Sequence, residues 1–335
     1  MKAIGIHHYG DASQLVPLDL PEPEPGPHQV RVRVIASSVN PADIRARSVA
    51  PGPRRIERQF PLVLGYDFSG VVDAVGPDVE ELAVGDEVFG SPSLFGQGAN
   101  AEQVVVDSRT IARKPAALSH EQAACLSLAG VTAWECLARA QAATGAGAGA
   151  TVLITAGAGG VGHLQVQLAR HLGLRVVATA SRPESIALCG ELGAAPVLDH
   201  ATEDVGQACR SLTGGAGVAV AFDNAGGRAL EQALDAVAPM GTVVSIVPTP
   251  VPVADRLFMK AASLIYHVMG AASMWRLDPH AQGRALAAVA ALAAQGRVRP
   301  VVAASYPVRE LGQAHRAIES GRTVGKIAIR VADGW

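Results

Sequence analysis

Val152-Leu153-Ile154-Thr155-Ala156, a short apolar run of strand character, leads without a break into Gly157-Ala158-Gly159-Gly160-Val161-Gly162, a complete GxGxxG. Behind it Leu164, Leu168 and Leu172 recur at helical spacing as far as Gly173, and residues 175–181 return to strand character. Strand, turn, helix, strand is the setting a dinucleotide-binding GxGxxG requires. In that setting the first glycine allows the tight turn, the second admits a pyrophosphate, and the third lets the helix approach the strand. The helix N-terminus, with Gly160 and Val161 leading into it, offers N–H groups and a partial positive charge to the phosphates.

The second strand also bears on which dinucleotide is held. An NAD site usually ends this strand with an acidic residue that grips the ribose 2′-hydroxyl. Here it ends Thr179-Ala180-Ser181-Arg182. A small hydroxyl followed by a guanidinium suits a 2′-phosphate, whose oxygens an Arg can take in two places, so NADPH is expected over NADH. The competing reading keeps Arg182 as a solvated loop residue and brings Glu184 to the ribose instead.

A chain of 335 residues is long enough for two domains, and one such unit fills only one of them. The formal net charge of −2 and the absence of a Lys/Arg-rich run leave no electrostatic footprint for nucleic acid or an anionic membrane. Small-molecule chemistry is the expectation. The first residues, Met1-Lys2-Ala3-Ile4-Gly5, carry no long apolar core, and no window approaches the length of a membrane span; a cytoplasmic protein is expected. Cys125, Cys136, Cys189 and Cys209 are widely spaced, without a C-x-x-C pair, and read as buried thiols rather than metal ligands.

Downstream of the glycine motif, residues 187–195 read as a helix, 195–200 as a third strand, and 218–222 and 242–247 as a fourth and fifth. The C-terminal ends of the last two, Asp223-Asn224 and Ser245-Ile246-Val247, are expected at the crevice where a cofactor lies on an open parallel sheet. Residues 264–270 read as an edge strand, 281–295 as an alanine-rich helix, and 297–306 and 326–331 as extended; 140–150 reads as a Gly/Ala loop. The start of the chain is β-rich, with a proline-dense link from Pro21 to Pro27.

Several ordered motifs carry a resemblance. Ser38-Val39-Asn40-Pro41-Ala42-Asp43-Ile44-Arg45, Leu64-Gly65-Tyr66-Asp67-Phe68-Ser69-Gly70, Val84-Gly85-Asp86-Glu87-Val88-Phe89-Gly90, Leu128-Ala129-Gly130-Val131-Thr132, Phe222-Asp223-Asn224-Ala225-Gly226-Gly227 and Gly325-Lys326-Ile327 follow one another in the order of the medium-chain dehydrogenase/reductase superfamily. The chain resembles its zinc-free quinone oxidoreductase branch, which includes zeta-crystallin-like proteins. The fold this implies is α/β: a Rossmann doubly wound parallel-sheet domain (residues 123–275) plus a GroES-like β-rich catalytic domain (residues 1–122 and 276–335).

The resemblance also implies departures from the zinc alcohol dehydrogenases. Asn40 stands where those enzymes have a Cys and Tyr66 where they have a His; an amide and a phenol are poor zinc ligands, so no metal is expected. It implies that Asn40, Asp43 and Thr132 serve the nicotinamide and substrate pocket, that Tyr66 can supply a proton, and that Lys326 lies near Asp67 or a cofactor phosphate. It puts His200 near the adenosine phosphate, where an exposed loop histidine is the plainer reading. The local alternative for Asn40 and Asp43 is helix capping around Pro41, for Asp67 and Lys326 an ion pair, and for Arg45 a solvated face instead of an anion-selecting cation. The edge strand implies a homodimer. The leading expectation is NADPH-dependent hydride transfer to a quinone; reduction of an activated C=C bond, of enone or haloacrylate type, and non-catalytic NADPH binding are the alternatives.

Overall fold

A computed structural model describes residues 1–48, 58–250 and 252–335. The chain divides into two compact units, Met1–Val131 with Ala272–Trp335, and Thr132–Ala271. One division falls inside the helix His120–Thr144, and the other four residues before position 276.

The first unit is built on the strand Gln29–Val39, whose Val30, Val32, Val34 and Ala36 point into the core on alternate positions. It lies in a seven-stranded sheet ordered Val302–Pro307, Lys326–Arg330, Gln29–Val39, Phe68–Val75, Glu87–Gly90 and Ala112–Arg113, with Gln103–Asp107 also paired to it. The C-terminal strand Lys326–Arg330 runs antiparallel to it, with Ile327 opposite Val39. That register carries Lys326 to the end of the strand from which Asn40 follows. A smaller sheet joins Val16–Asp19, Lys2–Ile6 and Leu62–Val63.

The second unit is a six-stranded sheet ordered Val197–Asp199, Arg175–Ala180, Thr151–Ile154, Val218–Asp223, Val237–Ser245 and Ser263–Tyr266, parallel throughout. Numbered within the unit this is 3-2-1-4-5-6, the Rossmann order, in which the direction of winding reverses between the first and fourth strands. The helix Gly162–His171 follows the first strand.

Three expectations change in detail. Residues 140–144 are the last turn of the helix His120–Thr144, not loop; alanine is the strongest helix former, and the helix stops where Gly145 turns left-handed (φ 66°). The helix expected at 187–195 starts earlier, Pro183–Glu191, because proline pre-sets the first helical position. The fifth strand begins at Val237 and passes through Met240 at φ 62°.

Candidate active site

In the first unit Asn40 and Pro41 start the helix Pro41–Ser48. Asp43, three residues into that start, accepts the backbone N–H of Asn40 at 2.8 Å, which is half of a capping box. Its other oxygen accepts the N–H groups of Gly65 and Tyr66, each at 3.1 Å. Gly65 turns the chain there at φ 107°, a conformation that side chains resist. Asp43 therefore ties the helix to the loop that carries Tyr66 and Asp67. Its carboxyl is pushed up to about 6, by burial first and by the Asp67 charge second.

Because Asp43 takes the cap, the Asn40 amide turns inward. Its Nδ2 donates to Asp67 Oδ2 at 2.7 Å and more weakly to Asp43 Oδ2 at 3.4 Å, and its Oδ1 accepts from Lys326 Nζ. Lys326 Nζ also donates to Asp67 Oδ2 at 3.1 Å and to Val39 O at 3.2 Å. Asp67 further accepts from Ser38 Oγ and, at 2.7 Å, from the backbone N–H of Leu128. Asp67 is fully buried and Lys326 is 2% exposed. A carboxylate and an ammonium persist at such depth only when paired and hydrogen-bonded, and both conditions hold here.

Tyr66 is also buried. Its hydroxyl accepts from Arg58 Nη2 at 2.7 Å and donates to Leu94 O at 3.3 Å. Burial pushes the phenol up to about 12, with the Arg58 charge pulling the other way, so it holds its proton at neutral pH. Thr132, buried on the helix His120–Thr144, belongs to the second unit. Arg45 is exposed.

The glycine loop lies at the C-terminal end of Thr151–Ile154, beside the winding reversal. Its left-handed residue is Ala156, at φ 49°, rather than Gly157. The first and third glycines are needed for packing: a Cβ on Gly157 would lie 2.8 Å from the Ala178 Cβ and 2.9 Å from Cys189 Sγ, and one on Gly162 would lie 2.2 Å from Ala156 O. A Cβ on Gly159 would approach only Ala156, with its oxygen at 3.1 Å, so that glycine faces the open side of the loop. Among the described residues the N–H groups of Gly160 and Val161 find no acceptor. The cradle thus has the donors and the clearance a pyrophosphate needs.

Around the loop the strand ends are laced together. Fully buried Asp223 accepts from Ser245 Oγ at 2.7 Å and from the N–H of Gly226 at 2.9 Å. Asn224 donates its backbone N–H to Thr155 Oγ1 at 3.0 Å and its side-chain amide to Gln165 Oε1 at 2.7 Å. Ile246 and Val247 follow Ser245, half-buried. Arg182 Nη1 lies 2.9 Å from Glu184 Oε1, next to exposed Ser181, so the two competing candidates for the ribose meet each other. His200 is half-buried and takes a Gln232 amide on its carbonyl at 3.4 Å. Asp223, expected with Asn224 at the crevice, lies among these strand ends; no local sequence pattern marks Arg58 or Gln165.

The four cysteines are buried and free. Burial pushes Cys189 up to about 11, Cys125 and Cys209 up to about 12, and Cys136 higher still, so none is a thiolate nucleophile at neutral pH. Among the described residues no group of three or more His, Cys, Asp or Glu is placed to hold a metal ion. None of the described helices is long and apolar enough to cross a membrane.

Two family models match: the alcohol dehydrogenase GroES-like domain over residues 26–116, and a domain described as zinc-binding dehydrogenase over residues 192–329. With a dinucleotide loop at the reversal of a 3-2-1-4-5-6 sheet, these define an NAD(P)H-dependent oxidoreductase. The chain is 31% identical to the 2-haloacrylate reductase of a Burkholderia species over 97% of either chain, and 30% identical to the quinone oxidoreductase of Pseudomonas aeruginosa over 98% of this chain and 99% of that one. The Escherichia coli quinone oxidoreductase, solved in complex with NADPH, superposes with a TM-score of 0.86 at 25% identity, covering 99% of this chain and 100% of that one. The chain belongs to the quinone oxidoreductase branch of the medium-chain dehydrogenase/reductase superfamily.

Proposed function

We propose that the protein is an NADPH-dependent, metal-free reductase that delivers hydride to a conjugated carbonyl acceptor, a quinone in the first instance. The single observation that carries the reading is the Lys326 ammonium, set between Asn40 Oδ1, Asp67 Oδ2 and Val39 O. A cation built into the chain already takes the Asn40 amide oxygen and the Asp67 carboxylate, and an amide and a phenol stand where the resemblance puts the zinc enzymes' Cys and His. When bound, the nicotinamide supplies the hydride, and the protein is left to position the acceptor and to accommodate the charge that develops on its oxygen.

Preference for NADPH over NADH rests on Arg182 beside Ser181. The solved NADPH complex of a family member supports the same choice. In the bound state a 2′-phosphate takes the guanidinium from Glu184, exchanging one partner for another with greater charge. The pyrophosphate is held by the Gly160 and Val161 N–H groups. A second copy of the chain is the expected partner: the short edge strand Ser263–Tyr266 has Tyr266 48% exposed, with Met240, Phe258 and Met259 exposed in the same unit, and a bare apolar edge invites pairing.

Reduction of an activated C=C bond is the second reading, favoured by a cation, Arg58, bonded to Tyr66. The test is binding of NADPH and NADH, followed by oxidation of each with a quinone panel and an enone panel. NADPH-selective turnover with conjugated carbonyls is expected. NADPH binding without turnover on either panel would replace the reading with a non-catalytic role.

A further inference from the structure

The glycine cradle lies at the C-terminal ends of the strands in the second unit, and a cavity lies against one face of the same sheet. Val152 of Thr151–Ile154 stands opposite Val220 of Val218–Asp223, and Phe222, two residues on, shares the face of Val220. Leu137 and Ala140, one turn apart on the helix His120–Thr144, line the same space, as does Leu174 just before Arg175–Ala180. All six are at most 5% exposed. Between them is a cavity of about 110 Å³.

Gln141, Leu172 and residues 146–148 form its mouth, each at least partly exposed. Ala146-Gly147-Ala148 carries nothing larger than a methyl group, and a Cβ added at Gly147 would meet no atom within 4 Å. The rim is nonetheless tied in place: Ala146 N–H donates to Thr144 Oγ1 at 3.1 Å, Gly149 N–H to Gly173 O at 2.9 Å and Ala150 N–H to Gly147 O at 3.0 Å. Protein interiors pack as densely as organic crystals, so an apolar space of this size is uncommon. Water needs about two to four polar partners to settle in one. Gln141 is the one polar side chain lining this cavity, and it lies exposed at the mouth. In another protein an apolar cavity of about 150 Å³, walled by Leu, Ile and Phe, stays dry and takes up benzene.

We infer that this cavity is a binding site for a neutral, single-ring aromatic molecule, separate from the nucleotide cradle and independent of the reaction proposed above. Its volume limits the occupant to one ring. The Phe222 ring on its wall offers edge-to-face contact, and a hydroxyl on the occupant can turn outward to the Gln141 amide. No charged side chain lines the cavity, so a carboxylate or an ammonium carried inside would stay uncompensated. The occupant packs against the strand that leads to the cradle: the Phe222 carbonyl accepts the Thr155 N–H at 2.9 Å, and Asp223 follows at once.

Fluorobenzene and 4-fluorobenzoate, titrated separately and followed by fluorine NMR, test the inference on the full chain with and without saturating NADP⁺. Wild type is expected to bind fluorobenzene saturably at a single site, and 4-fluorobenzoate at least about ten-fold more weakly. Ala140→Leu extends a side chain into the cavity and should weaken fluorobenzene at least about ten-fold. Ala148→Leu narrows the mouth from an exposed position and should act in the same direction; it carries the test if the first variant does not fold. NADP⁺ should leave fluorobenzene in place. No saturable binding, equal binding of the carboxylate, an affinity unchanged in both variants, or displacement by NADP⁺ would overturn the inference.

Discussion

Replacing Lys326 with Met keeps the length of the side chain and removes the charge that balances Asp67. The pair is 3.1 Å apart, with one partner fully buried and the other 2% exposed. At an effective dielectric constant near 20 its attraction is about 5 kcal/mol. Asp67 would keep three other donors, Ser38 Oγ, Asn40 Nδ2 and the Leu128 N–H, which soften the loss. Loss of one member of a buried pair typically costs about 3–5 kcal/mol. The variant should therefore lose about 3–5 kcal/mol of unfolding free energy near pH 7. Asp67→Asn combined with Lys326→Met removes both charges and should recover part of the loss. Urea denaturation near pH 7, followed by far-UV circular dichroism, reads both quantities. A loss below about 1 kcal/mol, or a double variant no more stable than Lys326→Met alone, would refute the pairing argument.

The other predictions follow from single contacts. Gly162→Ala sets a Cβ 2.2 Å from Ala156 O and should both destabilise the chain and abolish nucleotide binding. Gly159→Ala has room in the fold but obstructs the phosphate side, so the melting temperature should hold while the NADPH Kd rises at least about ten-fold; an unchanged Kd would remove that glycine from the cradle. Arg182→Ala should weaken NADPH about 10- to 100-fold and NADH by much less, and equal losses would argue against a 2′-phosphate contact. His315, fully buried beside Arg47, is pulled down to about 3 by burial first and the Arg47 charge second. Its folded pKa lies below the unfolded one, so stability is lost as pH falls from about 6.5 towards 3, on the order of a few kcal/mol. Asp43, raised to about 6, acts in the opposite sense between about 4 and 6. His315→Gln should flatten the wild-type decline below about pH 6.5 in denaturation midpoints; an unchanged slope would exclude this histidine as its source.

The glycine loop was legible in the sequence because its determinants are local: a strand, three spaced glycines and a helix follow within one stretch, and Gly157 and Gly162 are confined by atoms of that stretch and the next strand. The polar cluster was half-legible. Asn40, Asp43, Asp67 and Lys326 stood out through family motifs, but only the antiparallel register of Lys326–Arg330 on Gln29–Val39 brings the ammonium to the Asn40 carboxamide. That pairing spans nearly the whole chain, and local periodicity cannot report it. Pattern alone did not separate Asp43 from Asn40 at the helix start: the Asp43 carboxylate takes the Asn40 N–H, and the Asn40 amide faces Asp67. Arg45 is exposed, as its solvated-face alternative has it, and Arg58 is set against Tyr66 by fold geometry, not by spacing. The helix His120–Thr144 runs into the 140–150 stretch expected as loop because a Gly/Ala-rich composition reads as loop while its alanines propagate helix.

The central claim, hydride transfer without a metal, is tested most directly by exhaustive chelation of the purified protein, elemental analysis, and NADPH oxidation with a conjugated carbonyl acceptor before and after. The structure predicts zinc well below one equivalent per chain and a rate that chelation leaves unchanged. A rate abolished by the chelator and restored by stoichiometric zinc would contradict it.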